Sequence, residues 1–251
     1  MITNKLPLTI CILTHRSDDV FLQALRSAQI ADEVLILDHA SGNNWHTLEK
    51  QFKFTVLRLP AQAITDFAAI RNKALTKANT EWMLFLDSDE SIPADQVAEL
   101  HQLLLDQQAA AYSITRIDRF LGKQILHGEG SIRLVRLMRV AQGQFIGKVH
   151  EHAQITGTIT DSNLVIFHQP HTSVSGFITK VSWYAKLAAE EREVPFWQNL
   201  LELVLYPSGK FVYNFVIKSG WQDGWAGLVY TTVMSLHSLF VRIFRYEKQW
   251  G

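Results

Sequence analysis

Three carboxylates, Asp87, Asp89 and Glu90, fall within four positions directly after the apolar run Trp82–Leu86. The run can be buried outright, but neighbouring carboxylates repel unless a cation or several donors satisfy them. Residues two apart on an extended segment point the same way, so Asp87 and Asp89 can converge on one point. One occupant of that point is a hard divalent ion, which takes one or two carboxylates together with substrate phosphates and water. The same residues can instead open a helix, because acidic side chains favour the first turn and Ser91 with Pro93 suits a helix start.

Two further positions could join such a site. Asp38 ends the segment Glu33–Asp38 and precedes His39-Ala40-Ser41-Gly42. It can accept hydrogen bonds from a nucleobase or ribose, or simply close a turn before Gly42. Arg71, followed by Asn72, can face a diphosphate or point into solvent. Between Arg116 and Lys148, seven basic residues stand against two acidic ones, Asp118 and Glu129. That excess suits either phosphate contact or a solvated strand face.

Strands alternating with helices are expected to position these groups. Leu8–Leu13, Glu33–Asp38, Phe54–Leu59 and Trp82–Leu86 read as strands. Val20–Ile30 and Thr65–Asn79 read as helices, the latter capped by Thr65 with Phe67, Ile70, Ala74, Leu75 and Ala78 on one face. This order predicts βαβ units and a mostly parallel sheet, whose strands are covered on both faces and show no polar alternation. In such sheets ligands bind outside the carboxyl ends of the strands, which is where Asp38 and Asp87 fall. Beyond residue 110 the texture turns to longer strands, Ala111–Ile117 and Ser131–Val140, with glycine turns between them. From Val174 to the C-terminus it turns to helices.

The bulk composition agrees with a folded chain: 47% of its 251 residues are hydrophobic and 19% are charged. Lys plus Arg and Asp plus Glu number 24 each, so no global field favours nucleic acid as a partner. The single cysteine, Cys11, reads as a buried inert thiol in a reducing compartment. The N-terminal stretch reads as a first strand and not as a signal peptide. No transmembrane helix is expected, since no segment offers about 18 clean apolar residues. The segment Trp225–Phe244 comes closest and makes one apolar helical face. It ends among Arg242, Arg245 and Lys248, which suits either a packed helix or peripheral contact with an anionic membrane.

The segments LTICILTHRSD, EVLILDHASG and FAAIRNKALTKANTEWMLFLDSDE together resemble the family 2 glycosyltransferases with the GT-A fold. The likeness continues through RFLGKQILHGEGSIRLVRL, GQFIGKVHE, HQPHTSVSGFITKVSWYAKLAAE and FVYNFVIKSGWQDGWAGL, so it covers nearly the whole chain. It is nearest to the subgroup of bacterial lipopolysaccharide core β-glucosyltransferases. The resemblance implies a Rossmann-like GT-A domain over 1–172, with a nucleotide-binding half (1–110) and an acceptor-side half (111–172). A helical extension follows over 173–251.

It implies inverting transfer of a hexose from a nucleotide-sugar, with a UDP-sugar as the expected donor. The acceptor would be a glycan or a lipid-linked species in cell-envelope polysaccharide synthesis, at the cytoplasmic side of the plasma membrane. Asp38 would hold the uracil or ribose near Thr14, and Arg71 would face the nucleotide or its diphosphate. Asp87 would lean toward the nucleoside and Asp89 toward Mg2+ or Mn2+, with His168 completing the metal shell. Glu151, in Lys148-Val149-His150-Glu151, would be the general base, with Asp118 and Glu90 in reserve. The alternative for Glu151 is a plain ion pair with a basic neighbour such as Lys148. Zinc held by His150 and His152 is disfavoured by the lack of nearby cysteines.

The sequence departs from the family at two places on the donor side. After the second strand it has His-Ala-Ser-Gly-Asn without the usual final aspartate, and Thr-His-Arg-Ser-Asp replaces the commoner first loop. A sugar-phosphate nucleotidylyltransferase would need a glycine-rich basic loop in that position. A non-catalytic nucleotide-sugar binding scaffold would be favoured if Glu151 were remote from the donor, or if Asp87 and Asp89 paired with protein cations.

Overall fold

The computed structural model describes residues 5–60, 66–147, 151–192 and 194–250. In chain order it contains β1 (Leu6–Thr14), α1 (Asp19–Ala28), β2 (Ala31–Asp38), α2 (Trp45–Leu48), β3 (Thr55–Arg58), α3 (Phe67–Leu75), β4 (Trp82–Asp87) and β5 (Glu90–Ser91). Then come α4 (Val97–Leu105), β6 (Ala111–Phe120), β7 (Lys123–Ile125), β8 (Ser131–Arg139), β9 (Gly143–Ile146), β10 (His152–Ile155) and β11 (Ile159–His168). The last elements are α5 (Val174–Glu191), α6 (Phe196–Val212) and α7 (Gly224–Trp250). Two compact units divide the chain, Met1–Arg116 with Arg133–His168, and Ile117–Ile132 with Gln169–Gly251. The second unit thus takes in Ile117–Ile132, which the sequence reading grouped with the first.

The first unit is an α/β layer structure with strand order β3-β2-β1-β4-β8-β6-β11-β5. Strands β3, β2, β1 and β4 run parallel, while β8 joins β4 and β5 joins β11 antiparallel, so the parallel pairing runs through the first four strands of the chain's sheet order. Alternation along β1 feeds two cores. Leu8, Ile10 and Ile12 pack with Phe21, Ala24 and Leu25 of α1, and Cys11 packs on the opposite face with Ala74 and Leu75 of α3. Helices therefore cover both faces. Burial pushes the Cys11 thiol up to about 12, against the weaker pull of Arg71.

Local chemistry sets the element ends. Asp18 caps α1 by accepting from the Phe21 amide (3.2 Å), and Asp66 caps α3 by accepting from Ala69 (2.8 Å). Thr65, the expected cap, lies outside the described residues, and α3 stops at Leu75, short of Asn79. The acidic tract after β4 does not open a helix. Glu90 instead enters β5 and pairs with His168 of β11; a 3-10 turn, Ala94–Gln96, starts after Pro93 as expected and leads into α4 at Val97.

In the second unit, Phe120, Ile125, Phe177, Val181, Tyr230 and Val233 form the main core. Gly227 of α7 approaches the Gly220 carbonyl so closely that a Cβ there would sit 2.2 Å from it. Phe240 and Val241 of α7 also turn inward, so much of the face read from Trp225 to Phe244 is a packing face. Contrary to the sequence expectation, Phe196–Ile217 and Gly220–Gln249 are long and apolar enough to cross a bilayer, by length and composition. Gln, Asn, Glu and Lys interrupt the first stretch and Thr, Ser and His the second, yet each remains apolar on average.

Candidate active site

Register brings the expected residues to one rim. Thr14 lies opposite Asp38, and Leu13 lies opposite Asp87, so the carboxyl ends of β2, β1 and β4 align. On β4, Asp87 follows Met83 and Phe85 on the face covered by α3. From α3, Arg71 reaches that face with its guanidinium 5.5 Å from the ring centres of both Phe85 and Phe145.

Arg71 joins the two carboxylates of greatest interest. Its Nη2 donates to Asp87 Oδ1 at 2.9 Å, and its Nε donates to Glu151 Oε1 at 3.1 Å. Glu151 therefore pairs with a basic residue, but one from α3; Lys148 and His150 lie outside the described residues. Arg136 of β8 donates to the other oxygen, Asp87 Oδ2, at 2.7 Å. Burial would raise the Asp87 carboxyl, but Arg136 and Arg71 hold it well below the ordinary carboxylate range.

Asp89 takes a different direction. It sits in the tight turn between β4 and β5, so it does not share an extended face with Asp87. Its Oδ2 is 3.6 Å from Arg16 Nη1, and its Oδ1 is 3.6 Å from His168 Nε2. Glu90 is wholly buried. Its Oε2 accepts from the Asp87 amide (2.9 Å), and its Oε1 stands 3.4 Å from Arg136 and 3.5 Å from Arg116. Burial pushes its carboxyl up, Arg136 opposes this, and Asp87 adds to the rise. Four guanidiniums, Arg16, Arg71, Arg116 and Arg136, thus face four carboxylates, Asp87, Asp89, Glu90 and Glu151.

Asp38 and Thr14 stand at the rim with their polar atoms engaged in turns. Asp38 accepts from the Ser41 amide (3.0 Å) and from Trp45 Nε1 (2.9 Å), which is the turn arrangement. Burial works against its ionised form, yet Ser41 and Trp45 hold its pKa below the ordinary value. The Thr14 hydroxyl exchanges hydrogen bonds with the backbone of Arg16. Asp118 belongs to the second unit, where it accepts from the Tyr230 hydroxyl at 2.6 Å.

Among the described residues no group of three or more His, Cys, Asp or Glu gathers as a metal cluster. Asp89 and His168 nevertheless present one oxygen and one nitrogen 3.6 Å apart, a donor pair that fits a divalent ion completed by phosphate oxygens and water. Asp87 fits less well, because two guanidiniums hold its oxygens. Sequence reasoning missed Arg16, Arg116 and Arg136. A signal existed for Arg136: it falls on the opposite strand face from Arg133 and Arg139, so the three cannot share one solvated face.

Comparison with known proteins supplies the family. A profile described as glycosyl transferase family 2 matches residues 9–169, more than half of the chain. A TPR repeat-containing protein of Synechococcus elongatus is 25% identical over 116 residues, which are 46% of this chain and 28% of that protein. The chain therefore spans little more than a quarter of this curated relative. Among solved structures, S. aureus TarS 1-349 in complex with UDP-GlcNAc aligns with a TM-score of 0.46 and 13% identity, covering 98% of this chain and 92% of that one. The mannosyltransferase PcManGT from Pyrobaculum calidifontis, in complex with GDP-Man and Mn2+, gives 0.48 and 14%, covering 98% and 89%. The family match alone carries the assignment.

Proposed function

Because the chain belongs to glycosyl transferase family 2, we propose that it is an inverting enzyme moving a hexose from a nucleotide-sugar, a UDP-sugar first among candidates, to a glycan or lipid-linked acceptor. The observation that carries this reading is the Arg71 bridge between Glu151 and Asp87. A candidate base is fixed beside the strand-end carboxylate, where a nucleotide diphosphate would lie in an open α/β sheet.

In this scheme the acceptor hydroxyl gives its proton to Glu151 Oε2 as its oxygen bonds the anomeric carbon. The bond from that carbon to the diphosphate breaks on the opposite face, which inverts the centre. Arg71 orients Glu151 through Oε1. Arg16 and Arg136 stand at the same rim and are suited to phosphate oxygens. When bound to Asp89 and His168, Mg2+ or Mn2+ would supply Lewis-acid stabilisation of the departing diphosphate. A role in cell-envelope polysaccharide synthesis, at the cytoplasmic face of a membrane, completes the reading.

A second reading has its own support. Asp87 and Asp89 face protein cations, the arrangement that favours a non-catalytic nucleotide-sugar scaffold. Calorimetry with UDP, GDP and CDP, with and without Mn2+, and a hydrolysis assay with the corresponding nucleotide-sugars, on the native chain, Asp89→Ala and Glu151→Gln, separate the two. The transferase reading expects Mn2+-dependent binding of one nucleotide, lost in Asp89→Ala and kept in Glu151→Gln, with slow donor hydrolysis lost in both. Binding indifferent to Mn2+ and Asp89, without hydrolysis, would establish the scaffold.

A further inference from the structure

Helix α6 and the π-helical turn that continues it, Tyr213–Ile217, are built inside out. A surface helix in water turns its apolar stripe inward and its charges outward. Here Asn199, Glu202 and Asn214 are buried, whereas Trp197 and Val204 are each 65% exposed. Every exposed side chain from Leu200 to Leu205 is a hydrocarbon, and the face continues through Val212 and Val216. No charged side chain is exposed between Phe196 and Ile217. Each inward polar side chain has a partner, while the Oδ1 atoms of Asn199 and Asn214 accept no hydrogen bond among the described residues. Glu202 meets Arg242 at 3.2 Å and Arg245 at 3.4 Å, and Asn199 donates to the Arg242 carbonyl at 2.9 Å. Turning ionisable groups inward and pairing them is the arrangement that hydrocarbon demands.

The ends of the face point to a lipid surface and not to a protein. Trp197 stands at one end and Tyr213 with Trp221 at the other, all about half exposed or more, as interfacial aromatic rings are. Exposed Arg192 and Lys218 flank the apolar length. Protein interfaces carry about one hydrogen bond per 100–200 Å2, and Leu200–Leu205 offers no exposed side-chain donor or acceptor. Just before α6 lies a depression of about 400 Å3 lined by Arg192, Pro195, Arg245 and Lys248. Arg245 lines this depression, and its buried Nε has no hydrogen-bond partner among the described residues.

We propose that the outward face of α6 seats in the hydrocarbon boundary of an anionic phospholipid bilayer, with a lipid phosphate taken by the Arg192–Arg245–Lys248 depression. This deepens the membrane part of the proposed function by naming the surface. It moves that surface from Trp225–Phe244, much of which packs inward, to Phe196–Ile217.

The test is co-sedimentation of the full chain with phosphatidylcholine vesicles, with and without phosphatidylglycerol. The native chain should pellet with the anionic vesicles. Leu201→Glu combined with Val204→Glu should weaken this at least about tenfold, since each change puts a charge into hydrocarbon. Arg192→Glu with Lys248→Glu should remove the preference for anionic lipid. Trp197→Ser, a milder change, serves if the double glutamate variant melts early, and should still weaken pelleting. Nucleotide binding by each variant is read in parallel, so loss of the vesicle signal with binding retained concerns this surface alone. A native chain that stays in solution, or variants that pellet as it does, overturn the proposal. A concentration-dependent dimer abolished by the glutamates, without vesicle binding, would assign the face to a second copy of the chain.

Discussion

At the rim of the first unit, eight charged side chains are drawn together, with Glu90 and Arg71 almost wholly removed from solvent. Along α6 of the second unit, leucine and valine take the outside and a carboxylate takes the inside. Both invert the ordinary distribution of polarity, but they balance it differently. At the rim each carboxylate has guanidinium or amide partners within the protein, so its burial is compensated where it stands. The α6 face has no such internal answer, because apolar surface is relieved only by something that covers it. Buried charge at the rim thus describes a site complete enough to hold its shape alone, and exposed hydrocarbon on α6 describes a surface waiting for a medium.

The largest blow to the rim should come from Arg71→Met. It leaves Asp87 and Glu151 without their shared guanidinium and should cost about 3–5 kcal/mol in urea denaturation. Adding Asp87→Asn and Glu151→Gln should recover part of that loss; if the single change is harmless, the rim is not held by its ion pairs. In the second unit, Gly227→Ala should cost about 1–3 kcal/mol, because the added methyl group collides with the Gly220 carbonyl. An unchanged melting temperature would mean that α7 packs as loosely inside as α6 is bare outside.

Glu33 is the control for the charged rim, a carboxylate held by neutral groups. Thr9 donates to it at 2.8 Å and Asn79 donates through its amide and side chain. Burial opposes ionisation, but these bonds hold its pKa below 4.5, the ordinary value. Its contribution is therefore complete above that pH and fades as pH falls through the native value. Glu33→Gln should cost about 1 kcal/mol at pH 7, with the gap to the native chain closing in acid melts below pH 4.5. The smallest effect belongs to Val204→Lys, expected within about 0.5 kcal/mol of the native chain because the side chain is mostly in solvent. A large loss there would mean the α6 face is already covered.

Much of this was legible in the sequence, for identifiable reasons. Strands β1, β2 and β4 announced themselves as apolar runs, and their carboxyl ends marked the rim. Asp87, Asp89, Arg71, Glu151 and His168 are all at that rim, yet their pairings were hidden. Arg71 and Glu151 are 80 residues apart, and nothing local says that one guanidinium will span two carboxylates. Asp38 carried two open readings that only the Ser41 and Trp45 hydrogen bonds could separate. The inversion of α6 was illegible for a different reason. Helical periodicity reveals that a stripe exists but not which way it turns, and the inward choice depends on Arg242 and Arg245 some 40 residues later.

The buried thiol of β1 has a practical corollary. Cys11 is the sole cysteine, lies between β2 and β4, and holds its proton up to about 12. An alkylating reagent should reach it only when the central strand is released, which makes its labelling rate a clock for opening of the first unit. For the same reason a cysteine engineered at any exposed position can be tagged by itself. Spin labels or fluorophores could then be attached along α6 without first removing the native thiol.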